Sequence, residues 1–510
     1  MPSWSDGYVS DIAYTSNIYR EQMPSWIGFA TLLMGFGAPD IAEPFRVAEL
    51  GCGYGLSLAV AASCSPQAEF WGFDFNPVHI EAAREIARDA GLANLHYEER
   101  AFGELLSLDL PEFDFVVMHG VWSWVGPNAR RAALDFIKAK LRPGGLVYNS
   151  YNVLTGWSSM LPVRALMRLI GQGTRSEHVF PLVRALIEQL KQSGAGYFVV
   201  HERAMEPALK MLETLDVRYL AHEYLNEAWE PTMFADVAAE MAEAKCGFVA
   251  SAMLADNMNN ASVPATMTQL LQNAQDVTLR ETLRDLGNGQ VLRRDIYRRG
   301  AVPLMAADLL ARADAVVLEP TGPRSKGEVT FPSSLGQLKG RPEVYDAVLD
   351  RLAQGSVTVQ ELRRLPVFDG RPPGEALQSA AVLAAGNYAY PRVSDALLEM
   401  AREPARRLNR AFARRNELGA SIAHLVAPAL AATVPADMVD PIAVARLLDG
   451  AAEDESALTG YVVDALRRTG RTINRDGKPI EDPDAMRAAA AEKVRSLLQR
   501  RPVLERLGVL

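Results

Sequence analysis

The fold of this chain is decided by the stretch Glu49-Leu50-Gly51-Cys52-Gly53-Tyr54-Gly55, which directly follows the short apolar run Phe45-Arg46-Val47-Ala48. This order predicts a strand that leads through three alternating glycines into a helix. Glycine adopts positive φ and has no Cβ, so such a turn lets a nucleoside cofactor approach the backbone closely. The spacing differs from the dinucleotide-binding pattern G-x-G-x-x-G. Counted from Gly51, that pattern requires its third glycine at position 56, which is Leu56 here, and the last glycine is Gly55, one residue earlier.

A second strand is predicted about 25 residues further on, where Ala68–Asp74 is an apolar segment that ends on an acid. Asn76 suits the N-cap of a following helix over 77–90, and Gly91 suits the position after its end. An acid at the carboxyl end of the second strand of a βαβ unit can accept hydrogen bonds from both ribose hydroxyls. Asp74 has that position. The alternative is that Asp74 only caps a helix or lies in solvent.

Strands and helices continue to alternate along the next 60 residues. This alternation predicts an α/β fold with a mostly parallel sheet, whose ligands bind at the carboxyl ends of the strands. The predicted elements are a third strand at 95–97, a fourth at 113–118, a helix at 129–141, a turn at 142–145 and a fifth strand at 146–151.

Two of these segments resemble motifs of class I methyltransferases, which bind S-adenosyl-L-methionine (AdoMet). They are E-x-G-x-G-x-G from Glu49 and L-R-P-G-G at 141–145. Many relatives have an acid after the third strand that contacts adenine, whereas this chain has Ala101, so backbone groups there or Glu99 would make that contact. The resemblance implies AdoMet as cofactor, with the binding residues Tyr14, Tyr19, Glu49, Gly51, Gly53, Gly55, Asp74, Phe75, Ala101, Phe102 and His119.

Three further segments resemble one particular group of methyltransferases. They are H-G-V-W-S-W-V at 119–125, Y-N-S-Y-N-V-L-T-G-W at 148–157 and H-E-Y-L-N at 222–226. Enzymes of this group carry a methyltransferase regulatory domain after the catalytic core, and the group includes bacterial protein-lysine methyltransferases that modify outer-membrane proteins. The likeness covers about residues 10–300. It implies a methyl acceptor near the ends of the fourth and fifth strands.

The catalytic candidates therefore follow these two strands. Each has a second interpretation: the tryptophans as packing anchors, His119 as a loop cap, and Tyr14 and Tyr19 as core residues rather than a cofactor lid. His222 and Glu223 are either an acceptor-side polar pair or a structural link. The candidates are His119, Trp122 and Trp124 after the fourth strand, and Tyr151 and Asn152 after the fifth.

Length and composition indicate several domains in an ordinary globular protein. We expect a strand at 218–225, an extended segment at 246–251 and a helical insertion at 158–217 that covers the site. The C-terminal part is expected to be mainly helical, with a winged-helix-like start near 332–370. The predicted domains are an N-terminal cap (1–44), an AdoMet-binding core (45–258), the remainder of a middle domain (259–325) and a C-terminal domain (326–510).

The charge and cysteine pattern limit the partners. A net charge of −9 argues against broad nucleic-acid binding, and the arginine-rich run 402–415 suits a solvated helix face. No apolar run is long enough for a membrane span, and the N-terminus lacks a signal-peptide pattern. The three cysteines have no metal-ligand or disulfide spacing, which favours a reducing cytoplasm. No metal is expected, and a homodimer is compatible with the helical C-terminal third.

The sequence thus predicts an AdoMet-dependent methyltransferase whose favoured acceptor is a lysine amine of a protein or peptide. Methyl transfer to an amine requires that the amine lose its proton and be held in line with the methyl carbon. The first alternative is a small-molecule methyltransferase in which the helical insertion closes a compact pocket. The second is a non-catalytic AdoMet-sensing protein, which would bind the cofactor without turnover.

Overall fold

A computed structural model describes residues 7–9, 11–12, 17–324, 327–452, 454–475 and 478–510. Its centre is a seven-stranded sheet with the strand order β3-β2-β1-β4-β5-β7-β6, in which β7 runs antiparallel to both of its neighbours. The fold class is therefore the α/β fold of class I methyltransferases. The strands are β1 (Arg46–Leu50), β2 (Glu69–Asp74), β3 (Leu95–Glu99), β4 (Phe113–Met118), β5 (Leu141–Asn152), β6 (Cys246–Ser251) and β7 (Leu292–Arg299).

Helices cover both faces of this sheet, because most strand side chains are buried on both sides. One face packs against α1, α2 and α3, and the other against α4 and α10. Tyr97 of β3 fills the space above two glycines, since a Cβ on Gly55 would lie 2.4 Å from the Tyr97 Oη and a Cβ on Gly72 would lie 2.6 Å from its Cδ1. These helices are α1 (Pro24–Leu33), α2 (Leu56–Cys64), α3 (Pro77–Ala90), α4 (Pro127–Lys140) and α10 (Phe234–Glu243).

The insertion after β5 is helical, as the sequence predicts, and its helices pack around a small apolar core of their own. The strand expected at 218–225 is wrong, because this segment is the helix α9. Asp216 caps it by accepting from the Arg218 N–H, and Leu220, Ala221 and Tyr224 are buried at helical spacing. The helices are α5 (Leu154–Trp157), α6 (Leu161–Gly171), α7 (Ser176–Gln192), α8 (Gly196–Thr214) and α9 (Val217–Tyr224).

The sheet is completed by β7, which lies beyond the core boundary predicted at residue 258. The boundary is too early because β7 reads Leu-Arg-Arg-Asp-Ile-Tyr-Arg-Arg, a charged sequence that does not resemble a central strand. Its buried charge is paired: Arg293 contacts Asp295 at 2.9 Å, Asp285 at 2.6 Å and Glu281 at 3.1 Å. The helices before β7 are α11 (Asn259–Ser262), α12 (Thr268–Asn273) and α13 (Val277–Asn288).

The region after β7 combines short helices with a three-stranded sheet of order β11-β8-β12 and the hairpin β9-β10. The predicted winged-helix-like segment falls here, and its designation stays a prediction. The elements are α14 (Ala306–Ala315), β8 (Val317–Pro320), β9 (Thr330–Ser333), β10 (Gly336–Lys339), α15 (Pro342–Leu352), β11 (Val357–Thr358), α16 (Val359–Arg363), α17 (Gly374–Ala385) and β12 (Ala389–Pro391).

The last part of the chain packs against the catalytic sheet through the long helix α18. This helix contacts α2 and α3, and Arg407 donates to the Ala90 carbonyl at 2.8 Å. Part of the arginine-rich run therefore lies against the core rather than in solvent. The elements are α18 (Asp395–Glu417), β13 (His424–Ala427), β14 (Ala432–Pro435), α19 (Asp440–Leu448), α20 (Glu455–Arg468), β15 (Asn474–Arg475), β16 (Lys478–Pro479), α21 (Pro483–Gln499) and α22 (Arg501–Arg506).

Candidate active site

The glycine turn between β1 and α2 forms the floor of the site. All three glycines have positive φ, with values of +75° at Gly51, +52° at Gly53 and +67° at Gly55. A Cβ on Gly51 would lie 2.6 Å from the Val121 Cγ2, so this glycine is required by packing. At Gly53, by contrast, no described atom lies within 4 Å of an added Cβ. The turn is therefore open to a ligand at Gly53.

Asp74 ends β2 beside this opening. Its two carboxylate oxygens accept from the backbone N–H of Gly53 and of Asn76, both at 2.9 Å. A carboxylate oxygen has a second lone pair, so both oxygens can also accept from the vicinal hydroxyls of a ribose. Glu49 lies at the other side of the turn, where burial, followed by the charge of Asp74, raises its pKa to about 8.

A cavity of about 450 Å³ extends from this turn to the helical insertion, within the size range of small-molecule sites. A smaller cavity adjoins it at the turn and is lined by Glu49 and Gly55. Of the cofactor residues that the sequence predicts, Tyr14 lies outside the described residues. Those that line the larger cavity are Tyr19, Gly51, Gly53, Asp74, Phe75, Ala101, Phe102 and His119.

His119 follows β4 and lies between the cavity and the sheet. Its ring packs against the Tyr19 ring, with 3.9 Å between the ring centroids and 35° between the ring planes, and its Nδ1 lies 2.8 Å from the Tyr148 hydroxyl. Burial, and then the nearby charge of Arg294, lowers the pKa of His119 to about 3. The imidazole is therefore neutral at physiological pH. It can accept or donate a hydrogen bond, but it does not supply a positive charge.

A buried carboxylate also lines the cavity. Glu223 of α9 accepts from the Asn152 Nδ2 at 2.9 Å and from the Trp229 Nε1 at 3.4 Å, and burial raises its pKa. His222 also lines the cavity, but its Nε2 contacts the Ile12 carbonyl oxygen at 3.0 Å. Aromatic side chains also line this cavity, namely Tyr8, Tyr19, Trp124, Trp157 and Tyr219.

Two of the predicted catalytic candidates, Tyr151 and Trp122, do not line the cavity. Ser150 and Asn152 of β5 line the cavity, and because side chains alternate along a strand, Tyr151 points to the opposite face. There its hydroxyl donates to Asp295 at 2.6 Å. Trp122 is also buried in the core that includes Tyr151 and residues of α4 and α10. Both are packing residues, whereas Trp124 and Asn152 face the cavity.

Sequence reasoning missed many of the residues that line the cavity, among them Tyr8, Tyr219 and Arg294. Tyr8 precedes the segment to which a cofactor lid was assigned, and Tyr219 lies in the helix that was predicted to be a strand. Arg294 belongs to β7 and pairs with Glu21 at 3.0 Å. The spacing of Leu220, Ala221 and Tyr224 is typical of a helix and was the signal in the sequence that would have placed Tyr219 on a helix. Among the described residues, no cluster of His, Cys, Asp and Glu side chains can hold a metal ion.

Comparisons with known proteins agree with this geometry. Residues 47–145 match the family described as "Methyltransferase domain", and residues 216–299 match "Predicted methyltransferase regulatory domain". The fold and these two matches define an AdoMet-dependent methyltransferase of class I.

Relatives with known sequences or structures extend over almost the whole chain. The uncharacterized protein sll1526 from Synechocystis sp. is 31% identical over 99% of this chain and 100% of its own length. PKMT2 from Rickettsia typhi, solved in complex with AdoHcy, has a similar fold with a TM-score of 0.69 and 18% identity over 96% of this chain and 99% of its own. The chain belongs to the family that it shares with sll1526, class I methyltransferases that carry a methyltransferase regulatory domain.

None of the described helices combines the length and the apolar character that crossing a bilayer requires.

Proposed function

We propose that this enzyme transfers a methyl group from AdoMet to the side-chain amine of a lysine in a protein. The observation that carries the proposal is the position of Glu223, a buried carboxylate that lines an aromatic-rich cavity together with the glycine turn and Asp74. A negative charge among aromatic faces favours an organic cation. An amine acceptor fits these surroundings better than a carboxylate or phosphate acceptor does.

The residues around the turn fit AdoMet. Gly53 leaves room for the amino-acid part of the cofactor, and Asp74 has free lone pairs for the ribose hydroxyls. Phe102 and the Ala101 backbone, which line the same cavity, are proposed to contact the adenine, without the acid that many relatives have. When bound, AdoMet supplies an electrophilic methyl group on a sulfonium. Tyr19, whose ring packs against His119, covers this part of the cavity.

Glu223 is proposed to accept the proton that a lysine ammonium must lose before its nitrogen can act as a nucleophile. Burial raises the pKa of Glu223, which makes it a stronger base than an exposed glutamate. Asn152 holds the Oε1 of Glu223 at 2.9 Å and so fixes the direction of the carboxylate. Tyr219 and Trp124 line the path that the aliphatic part of the acceptor would follow.

Large segments of the chain lie outside the AdoMet-binding core, and their size supports an acceptor that is a polypeptide. We propose that residues 1–44 cap the cofactor, that the insertion at 158–217 covers the acceptor, and that residues 326–510 recognise the polypeptide. A cytoplasmic location is proposed from the chain's three cysteines, which are buried free thiols.

Isotopically labelled AdoMet, incubated separately with a cell protein extract and with a metabolite pool, tests this proposal. Mass spectrometry is expected to find methylated lysine in the protein fraction. Label that appears only in small molecules would instead support the alternative of a metabolite methyltransferase.

The variant Glu223→Gln tests the role of the carboxylate. It keeps the size and the hydrogen-bond acceptor but removes the charge, so kcat is expected to fall by about 10²-fold or more, while the Kd for AdoMet stays within about twofold. An unchanged kcat would show that Glu223 does not handle the proton.

A further inference from the structure

Tyr19, which covers the cofactor side of the cavity, is followed by a residue that is held by the C-terminal half of the chain. The Arg20 guanidinium donates to the Ala385 carbonyl at 3.2 Å, to the Asn387 Oδ1 and to the Tyr390 hydroxyl. We call Ala385, Asn387 and Tyr390 the Arg20 clamp. These contacts join residues that are more than 360 positions apart in the sequence.

The clamp is a built feature rather than a loose surface contact. The Arg20 guanidinium lies 4.5 Å from the Trp26 ring centroid, and its side chain is only 19% exposed. Asn387 follows α17 with a φ of +64°, a conformation that asparagine tolerates better than most residues. The Tyr390 hydroxyl in turn donates to the Asn387 Oδ1. A charged donor with several acceptors in a half-buried place is strongly oriented.

The neighbours of Arg20 in the sequence lie at the active site. The Tyr19 ring packs against the His119 ring with 3.9 Å between their centroids, and the Tyr19 N–H donates to the Ser57 Oγ of α2 at 3.1 Å. On the other side, Glu21 pairs with Arg294, which lines the cavity. An arginine fixed between these two residues limits the directions that the Tyr19 side chain can take.

We infer that the C-terminal half controls cofactor affinity through the Arg20 clamp, which holds Tyr19 over the AdoMet site. Arg20, Asn387 and Tyr390 are thus positioning residues. Because the clamp already orders Tyr19, binding of the cofactor does not have to immobilise this side chain, and the entropy cost of binding is lower. This effect is present before any acceptor binds. The inference rests on the proposed position of AdoMet at the glycine turn and is independent of the acceptor.

Calorimetric titration of the full-length enzyme with AdoHcy tests this control. Tyr390→Phe removes a single hydroxyl from the clamp, and Arg20→Met removes the guanidinium. Both are expected to raise the Kd by about five- to tenfold. The matched control is Arg407→Met, which removes another arginine contact between the C-terminal half and the core, at the Ala90 carbonyl. Its Kd is expected to stay within about twofold of the wild type.

A double-variant cycle separates positioning from a general loss of stability. Tyr19→Ala raises the Kd by itself, and adding Tyr390→Phe is then expected to have little further effect, because the clamp no longer has a ring to hold. Equal losses in both backgrounds, or an unchanged Kd in Tyr390→Phe, would overturn the inference. A wild-type enzyme that fails to bind AdoHcy would instead contradict the cofactor site itself.

Discussion

Gly53 borders open space at the glycine turn, and this makes it the sharpest test of the cofactor site. In Gly53→Ala the new methyl group would enter the space assigned to AdoMet, so binding is expected to weaken by at least about 10²-fold. The left-handed backbone adds a stability cost of about 1–2 kcal/mol. Titration with AdoHcy measures the first effect, and urea unfolding measures the second.

Gly470 offers a matched control for this variant. It also has positive φ, at +65°, and no described atom lies within 4 Å of an added Cβ, but it follows α20 in the C-terminal region. Gly470→Ala is therefore expected to lower stability by a similar amount without changing the Kd for AdoHcy. If both variants lose affinity equally, strain rather than a ligand contact explains the effect at Gly53.

His119 makes the stability of the protein depend on pH. Its pKa is about 3 in the folded protein, below the usual value of 6.5, so the unfolded chain binds the extra proton first. The neutral imidazole therefore makes its full contribution to the unfolding free energy above pH 6.5, and this contribution is lost as the pH falls toward 3. The slope for one such group is about 1.4 kcal/mol per pH unit.

The variant His119→Gln isolates this dependence. Between pH 6 and pH 4 its unfolding free energy, measured with urea, is expected to fall less steeply than that of the wild type. Comparing the two slopes removes the contribution of other groups such as Glu49, whose raised pKa acts in the opposite direction. Parallel slopes would mean that His119 is protonated in the folded enzyme.

Single residues were predictable from the sequence only where a motif fixes the backbone. Gly53 and Asp74 follow from the strand–turn–helix pattern, and both border the cavity. Tyr151 was misplaced because the motif gave its position along β5 but not the face of the sheet. The alternation of side chains, counted from Asn152, would have corrected it.

At the scale of elements, β7 depends on pairing its buried charges. Removing Arg293 would leave Asp295, Asp285 and Glu281 buried without their shared cation. Arg293→Met is therefore expected to lower the unfolding free energy by about 3–5 kcal/mol. Urea unfolding followed by circular dichroism measures this change.

A surface arginine provides the comparison. Arg131 pairs with Asp135 and Glu243 while its side chain is 48% exposed, so Arg131→Met is expected to cost less than about 1 kcal/mol. Equal losses in the two variants would show that burial does not determine the strength of the Arg293 network.

The same network explains why elements were predicted unevenly. The strands β1, β2 and β4 are mainly apolar, and a helix follows each of them, so the order of the strands was evident, and the bounds of α3 are those expected. β7 was missed because its charges are satisfied by residues that are distant in the sequence. The helix α9 was taken for a strand because aromatic and polar residues obscured its helical burial pattern.

At the scale of the whole molecule, α18 joins the C-terminal region to the catalytic sheet. Its apolar residues share one continuous core with α2 and α3. We therefore expect a single unfolding transition in calorimetry. AdoHcy at 100 times its Kd should stabilise the whole transition by about 2.7 kcal/mol. Two transitions, of which the ligand moves only one, would contradict this coupling.

Tyr97 links three positions that are far apart in the sequence. Its ring occupies the space that side chains at residues 55 and 72 would need. A mutational library that varies residue 72 while keeping Tyr97 would thus yield few folded members. In the evolution of this cofactor pocket, a residue larger than glycine at position 72 is therefore expected only after a smaller residue has replaced Tyr97.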